Sequence, residues 1–378
     1  MSSFTPSSAF RIAADPRTRI VEGLSTAIDE VAERAAHSHR FLRHGWFAAA
    51  IAAYGGEPRT VLVEQGTAAV LAIPLVPLGP AILGLAAVPG CYWPFRSFPV
   101  AEHLSRASWD AALDALAGEV RGLRIGPVYD GDPAASALVS TARAKGWAAI
   151  DRLVATSWLL DMEAMEADGQ WPRGSTLRKN RFHEKHLASH GALEWRLAGG
   201  GDWKGDLFDR CAEIEDASWI ATRTGGEDAK FTARSHGAFW RAAAADPVLA
   251  GMMSAAVLSV GERPAAFSFN LDTGALRYAI ANSYDPRFRK HSPGKLLQYR
   301  DLADARARDI RLVDWGAGDS GYKQLMGAVP GVAIRDWLLL RPGFSALAGR
   351  AFARAWRWSG GRPGPSADEL VLAPGHGS

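Results

Sequence analysis

A chain of 378 residues, 48% hydrophobic and 22% charged, has the composition of an ordinary globular protein, and its length accommodates two cores of roughly 150 residues each. Its 43 Lys and Arg against 40 Asp and Glu leave a formal charge of only +3. Overall basicity therefore does not point to a DNA-binding protein, and any anion-binding role falls to local clusters. Two cysteines, Cys91 and Cys211, supply neither a disulfide framework nor a zinc-ligand spacing, which fits a reducing cytoplasm.

The first 19 residues lack the apolar core of a secretory signal, so export is not expected. A helix over 20–36 and a second around Trp46 precede strands near 60, 70 and 82. Residues 65–95 carry no charge and are long enough to span a bilayer, but Pro74, Pro77, Pro80 and Pro89 would each break a spanning helix. The segment reads instead as two buried strands, 68–74 and 82–89, joined by a Pro/Gly turn. A helix over 108–120, with Ser108 near its start, leads to a strand at 122–128. Asp132 then caps a helix over 133–145 that has Pro133 in its first turn and Gly146 at its end. A strand follows over 147–161.

The charged, Gly/Pro-containing passage 163–174 marks a boundary between 1–162 and 163–345. Beyond it, Ser175 caps a helix ending near Gly191. Further helices are expected over 204–221 and 234–245, and strands over 251–260, 264–271 and 275–282. A helix over 293–307, a strand over 310–315, a short helix over 320–326 and a strand over 332–340 complete the second half. The same order of elements occurs twice, which implies duplicated α/β units rather than one large sheet. In the remaining 346–378, Arg350, Arg354 and Arg357 beside Phe352, Trp356 and Trp358 make a basic helix. It either docks on its own protein or lies on a membrane surface at 346–358, and a Gly/Pro/Ser tail follows it.

Several clusters have the chemistry of a binding site. Arg287, Arg289, Lys290 and Lys295 surround Ser292-Pro293-Gly294, which opens a helix; backbone amides and basic side chains there suit a diphosphate, or else form a capped helix with solvated arginines. The run Arg178-Lys179-Asn180-Arg181 with Lys185 and His186 makes a basic helix face, which by itself reads as solvated. His183 and His186 are three apart, not four as in zinc proteases, and His186 and His190 lack a third ligand, so no metal is expected. Residues 316–321 match the G-x-G-x-x-G dinucleotide fingerprint. The short helix and single strand after it do not suit that role, and the glycines read as a turn bringing Tyr322 and Lys323 to a ligand. No Gly-x-Ser-x-Gly elbow is present, so direct attack is expected rather than a covalent enzyme intermediate.

Three phrases, Ala266-Phe267-Ser268-Phe269, Ser292 through Leu297, and Asp314-Trp315-Gly316-Ala317-Gly318-Asp319 followed by Tyr322-Lys323, resemble the CelD-type acetyltransferases. These are relatives of the FemAB aminoacyltransferases within the GNAT superfamily. The resemblance covers 173–340 well and the first half loosely, through His44-Gly45-Trp46. It implies two tandem GNAT-like α/β domains, each a mixed twisted sheet flanked by helices. It also implies transfer of an acyl group, from acetyl-CoA or another acyl-CoA, to an amine of a sugar, nucleotide sugar or polysaccharide precursor. Tyr284, Arg289, Lys290, Ser292, Gly294 and Lys295 would hold the donor. Asp314 would orient or deprotonate the acceptor, Tyr322 would protonate the departing thiolate, and Lys323 would neutralise a phosphate or the oxyanion. Glu215, Trp219 and Arg223, with Arg178 and Lys179, would line the acceptor side. The Ser-Pro-Gly turn replaces the usual glycine-rich motif of the fold, which leaves the donor open. Two alternatives stand beside this reading: a charged tRNA as donor, as in FemAB-like enzymes, which the basic runs at 178–186 and 287–300 leave open, and a catalytically silent GNAT-like binding module.

Overall fold

The protein is represented by a computed structural model, described over residues 15–169, 171, 173–200, 206–218, 229–232, 236–318 and 321–359. The first half contains β1 (Pro16–Glu22), α1 (Ala27–Glu33), α2 (His44–Tyr54), β2 (Arg59–Gln65), β3 (Ala68–Pro77), β4 (Leu85–Ala87), α3 (Arg106–Glu119), β5 (Gly122–Tyr129), α4 (Pro133–Ala144) and β6 (Ala148–Asp161). The second contains α5 (Met162–Ala167), α6 (Gly174–Leu187), β7 (Leu193–Gly199), α7 (Asp206–Ala217), α8 (His236–Ala243), α9 (Pro247–Met252) and β8 (Met253–Val260). It continues through β9 (Arg263–Thr273), β10 (Leu276–Tyr284), α10 (Pro293–Ala307), β11 (Leu312–Ala317), α11 (Tyr322–Leu325), β12 (Val329–Leu340) and α12 (Phe344–Trp358).

Most expected elements form, and the differences have local causes. Residues 20–22 end strand β1 rather than opening a helix: Thr18, Ile20 and Val21 are β-branched, and Gly23 turns the chain at a φ of +83° before the short α1. Strand β7 was not foreseen; it is an edge strand, mostly half-exposed, so no strong apolar pattern marks it. Ile82 lies in a single 3-10 turn and is 81% exposed, so the predicted strand 82–89 shrinks to Leu85–Ala87. Ser105, not Ser108, caps α3, its hydroxyl accepting the Ser108 amide. Asp132 caps α4 as expected, with Pro133 in the first turn.

The twelve strands form one sheet in the order β1-β2-β3-β4-β5-β12-β6-β11-β10-β9-β8-β7. Strands β4 and β5 run parallel, as do β10 and β11, and their other neighbours are antiparallel. The two α/β units are thus not separate sheets. Strand β12 of the second half lies between β5 and β6 of the first, and β6 lies between β12 and β11. The β6 to β12 pairing runs from Leu159 opposite Val329 to Ala148 opposite Leu340 and joins the halves at the centre.

Alternation along β9 defines two faces. Phe267 and Phe269 meet Phe231, and Phe269 also meets Trp240 of α8, with ring centroids 4.9–5.4 Å apart. Ser268 and Asn270 point the other way, both donating to the carboxylate of Asp301 on α10. The first face carries a core shared by both halves, in which Trp46 of α2 packs edge-on against Phe239 and Trp240 of α8. The second carries α10, whose Leu296 and Leu297 join Leu187 and Leu258, and whose Leu302 joins Val313 and Trp315. Fully buried Arg277 fixes α10 to the sheet by pairing with Asp272 at 2.7 Å and Asp301 at 2.8 Å.

Helix α12 packs on β6; its Trp356 lies over the Arg152 guanidinium at 4.3 Å, while Trp358 is 91% exposed. Among the described residues no helix is long and apolar enough to cross a membrane.

Candidate active site

Strands β10 and β11 pair only from Leu276 opposite Leu312 to Tyr278 opposite Asp314. Beyond that point a bulge between Ala279 and Ala281 bends β10, and β11 has its own irregularity between Asp314 and Ala317. The strands separate, and the gap opens into a cleft of about 960 Å³. The corresponding gap in the first half is filled by its own chain. There the amides of Val88 and Arg96 bond to the carbonyls of Arg124 and Pro127 on β5, and the Ala72 amide of β3 bonds to the Pro99 carbonyl. Phe95 and Phe98 of this filling segment are buried.

Helix α10 starts at the cleft. Ser292 precedes it in the left-handed region, at a φ of 50°, and makes no side-chain cap bond; Pro293 follows in the first turn. The first-turn amides have no acceptor within the helix, so this end presents donors and positive potential to the cleft. Arg289, Ser292, Gly294 and Lys295 line the wall, together with Tyr284, which packs against Gly294 so closely that a Cβ there would lie 3.2 Å from the ring. Lys290 is exposed and is not one of the residues of the wall.

On β11, Val313 and Trp315 point to the α10 face, so Asp314 points to the opposite one. Asp314 is 6% exposed and is not in the cleft wall. Its Oδ1 accepts the Gly316 amide at 2.7 Å, and the Tyr129 hydroxyl of β5 donates to the same carboxylate. Burial pushes its pKa up to about 6, against the opposing pull of these two bonds and of Lys323. Lys323, 5% exposed, donates from Nζ to the carbonyls of Trp315, Gly316 and Ala317 at 2.7, 3.2 and 2.9 Å. Its three ammonium donors are thereby directed at the turn rather than into the cleft. The Gly316 turn is held by its amide from Asp314 and by its carbonyls from Lys323. Gly316 has a φ of +59°, and a Cβ there would overlap the Trp93 indole.

Tyr322 lies in the wall and bridges the gap: its hydroxyl accepts from Asn282 Nδ2 of β10 at 2.9 Å. The helix it begins is a single turn, in keeping with the reading of 316–321 as a glycine turn.

The expected acceptor-side residues fare differently. Glu215, 1% exposed, accepts the backbone amides of Lys230 and Phe231 at 2.8–3.0 Å, so it anchors a segment rather than facing an acceptor. Arg178 and Lys179 lie on the exposed face of α6, whose buried residues are Asn180 and Leu187, and neither lines the cleft. Trp219 and Arg223 lie outside the described residues. In their place the wall contains Tyr92, Trp93, Lys230, Asn282, Gln298 and Trp315. Of these, Trp315 lies in the 314–319 phrase, while Tyr92, Trp93 and Lys230 carry no local signal in the sequence. Phe231 packs on Phe267 and Phe269, and Tyr92 on His236 of α8 at 5.0 Å, so Lys230 and Tyr92 approach the cleft from the face opposite α10.

A helix N-terminus facing the gap between two parting parallel strands is an arrangement made for a ligand that passes through a sheet. Residues 174–324 match the acetyltransferase (GNAT) domain family. The GNAT domain contains β10, α10, β11 and most of α11, and hence the greater part of the cleft wall. The second half of the protein thus carries an acyltransferase domain. No curated protein matches the chain. Two solved structures share its fold over nearly their whole length. One is a conserved protein of unknown function from Bacteroides thetaiotaomicron VPI-5482, 12% identical, covering 85% of this chain and 100% of its own, with a TM-score of 0.54. The other is FemX, 10% identical, covering 89% of this chain and 100% of its own, with a TM-score of 0.56.

Proposed function

We propose that the protein is a cytoplasmic N-acyltransferase that moves an acyl group, acetyl from acetyl-CoA in the simplest case, directly to an amine of a sugar, nucleotide sugar or polysaccharide precursor. The observation that carries this reading is the cleft between β10 and β11, reached from one face at the start of α10 and from the other at Tyr92, Trp93 and Lys230. The donor diphosphate sits against the first-turn amides of α10, beside Arg289 and Lys295, and the pantetheine arm lies between the strands. The thioester then reaches the bulge at Ala279–Ala281, where a backbone amide released from the strand ladder is suited to the developing oxyanion.

The neutral amine, its ammonium proton already lost to solvent, attacks the thioester carbonyl; the C–N bond forms, the C–S bond breaks, and Tyr322 gives its proton to the thiolate. The proton shed by the attacking nitrogen passes through solvent to restore the Tyr322 hydroxyl. Asp314 and Lys323 act through the Gly316 turn, and so are positioning residues in this scheme. The sugar-amine acceptor class and the CelD-type assignment rest on the phrases at 266–269, 292–297 and 314–323. Trp93, Tyr92 and Trp315 add aromatic surface of the kind that packs on a sugar ring.

Calorimetric titration with acetyl-CoA and CoA, on the native protein and on Lys295→Ala, tests the donor. Micromolar binding weakened about tenfold by the substitution supports it. No binding to any acyl-CoA, combined with salt-sensitive binding of charged tRNA, would transfer the site to an aminoacyl donor.

A further inference from the structure

The charges on the cleft wall are all of one sign. Lys230, Arg289, Lys295 and Lys323 line it, and among the described residues no carboxylate does. Lys323 is directed at three carbonyls of its own turn, and Arg289 and Lys295 flank α10. Lys230 stands apart from these, because its segment packs on the face of the sheet opposite α10. Its position is also fixed. Glu215 holds the amides of Lys230 and Phe231, and fully buried Phe231 sits among Phe208, Phe267 and Phe269. Its ammonium forms no ion pair with any described residue.

We infer that the acceptor carries a negative charge, a phosphate on an amino sugar, which Lys230 binds from the face opposite the donor while Tyr92 and Trp93 cover the ring. The inference rests on the acyltransferase reading and specifies its second substrate. Glu215 behind Lys230 and Asp314 behind Lys323 are buried outside the wall, so among the described residues an acceptor without negative charge would bring its ammonium against cations with no carboxylate in the wall itself. A phosphate offsets those cations, and a single lysine recognises it as a point charge. The same field disfavours the protonated amine and so favours the nucleophilic form in a wall that, among the described residues, holds no carboxylate base. Both a sugar phosphate ester and a nucleotide diphosphate sugar present this chemistry.

The test is binding to the full-length protein held in saturating CoA, so that the anion site at α10 is already filled. Glucosamine, glucosamine 6-phosphate and UDP-glucosamine are titrated against the native protein, Lys230→Gln and Lys230→Arg. Because Glu215 holds the backbone of residue 230, neither substitution removes the anchor, and a thermal melt confirms the fold. At least one phosphorylated sugar is expected to bind roughly tenfold more tightly than glucosamine, with Lys230→Gln abolishing the difference and Lys230→Arg keeping most of it. Tighter binding of the monophosphate identifies the ester as the source, and tighter binding of the UDP sugar identifies the nucleotide. Equal affinity for all three sugars, binding of none of them, or a preference that survives Lys230→Gln overturns the inference. The donor reading fails separately, through loss of CoA binding itself.

Discussion

Trp93, from the first half of the chain, occupies the space that any side chain on Gly316 of the second half would need. The contact closes the cleft where the two halves meet, and Gly316 must also hold a left-handed φ of +59°. Gly316→Ala is expected to destabilise the protein by about 2 kcal/mol, from backbone strain and overpacking together. Acyl transfer should fall more than about tenfold through the displaced indole. Adding Trp93→Ala should recover part of the stability but not the acceptor affinity. Urea melts and kcat/KM on the single and double variants check this.

Tyr322→Phe removes the hydroxyl that accepts from Asn282 without altering the ring packing beside Trp315. If Tyr322 protonates the thiolate, kcat should fall roughly a hundredfold while the Kd for acetyl-CoA stays within about twofold. A parallel loss in both would instead make it a binding residue. Stopped-flow thiol release with separate calorimetry distinguishes the two.

Asp314 links folding to pH. Its pKa is raised from 3.8 to about 6 by burial, so the native state holds its proton more tightly than the unfolded chain does. The resulting stability is fully present below about pH 4 and is lost as pH rises through 6, an effect of roughly 2–3 kcal/mol. Asn at this position keeps its oxygen as acceptor for the Gly316 amide, and its NH2 group can donate to the Tyr129 hydroxyl. Asp314→Asn is therefore expected to flatten the slope of stability between pH 4 and 6 and to be more stable than the native protein at pH 7.5. Denaturant titrations across that range would show no difference in slope if the carboxyl titrated normally.

Glu215→Gln leaves one oxygen to serve the amides of Lys230 and Phe231 and turns an NH2 group toward backbone donors. A loss of about 2 kcal/mol is expected, with weaker binding of anionic acceptors and unchanged binding of CoA. Chemical denaturation and two calorimetric titrations check the three outcomes.

The elements that frame the donor side were legible because their signals are local. Pro293 in a first turn and an apolar face through Leu296, Leu297 and Leu302 define α10 to the residue, and the basic residues around its start lie within one turn of chain. The edge strands β1 and β7 were not, since each buries little and so carries a weak alternating pattern. On the acceptor side, Trp93 and Lys230 are 137 residues apart in sequence, and nothing short of the folded sheet brings them to one cleft. Glu215 and Lys323 illustrate another limit. Their residue types suggested catalysis or recognition, but burial made one an anchor for amides and the other a clamp on carbonyls.

The exchange of β6 and β12 also sets the order of events at the ribosome. The residues of β5 and β6 are synthesised about 170 to 220 positions before Val329–Leu340, yet β12 must lie between them. The first half therefore leaves the exit tunnel with one edge of β5 and both edges of β6 unpaired. Those edges stay open, and prone to pairing with other chains, until nearly the end of translation. A nascent chain stalled before residue 329 lacks the strand that closes either half, so truncation late in the message is as damaging to the amino-terminal sheet as to the carboxy-terminal one.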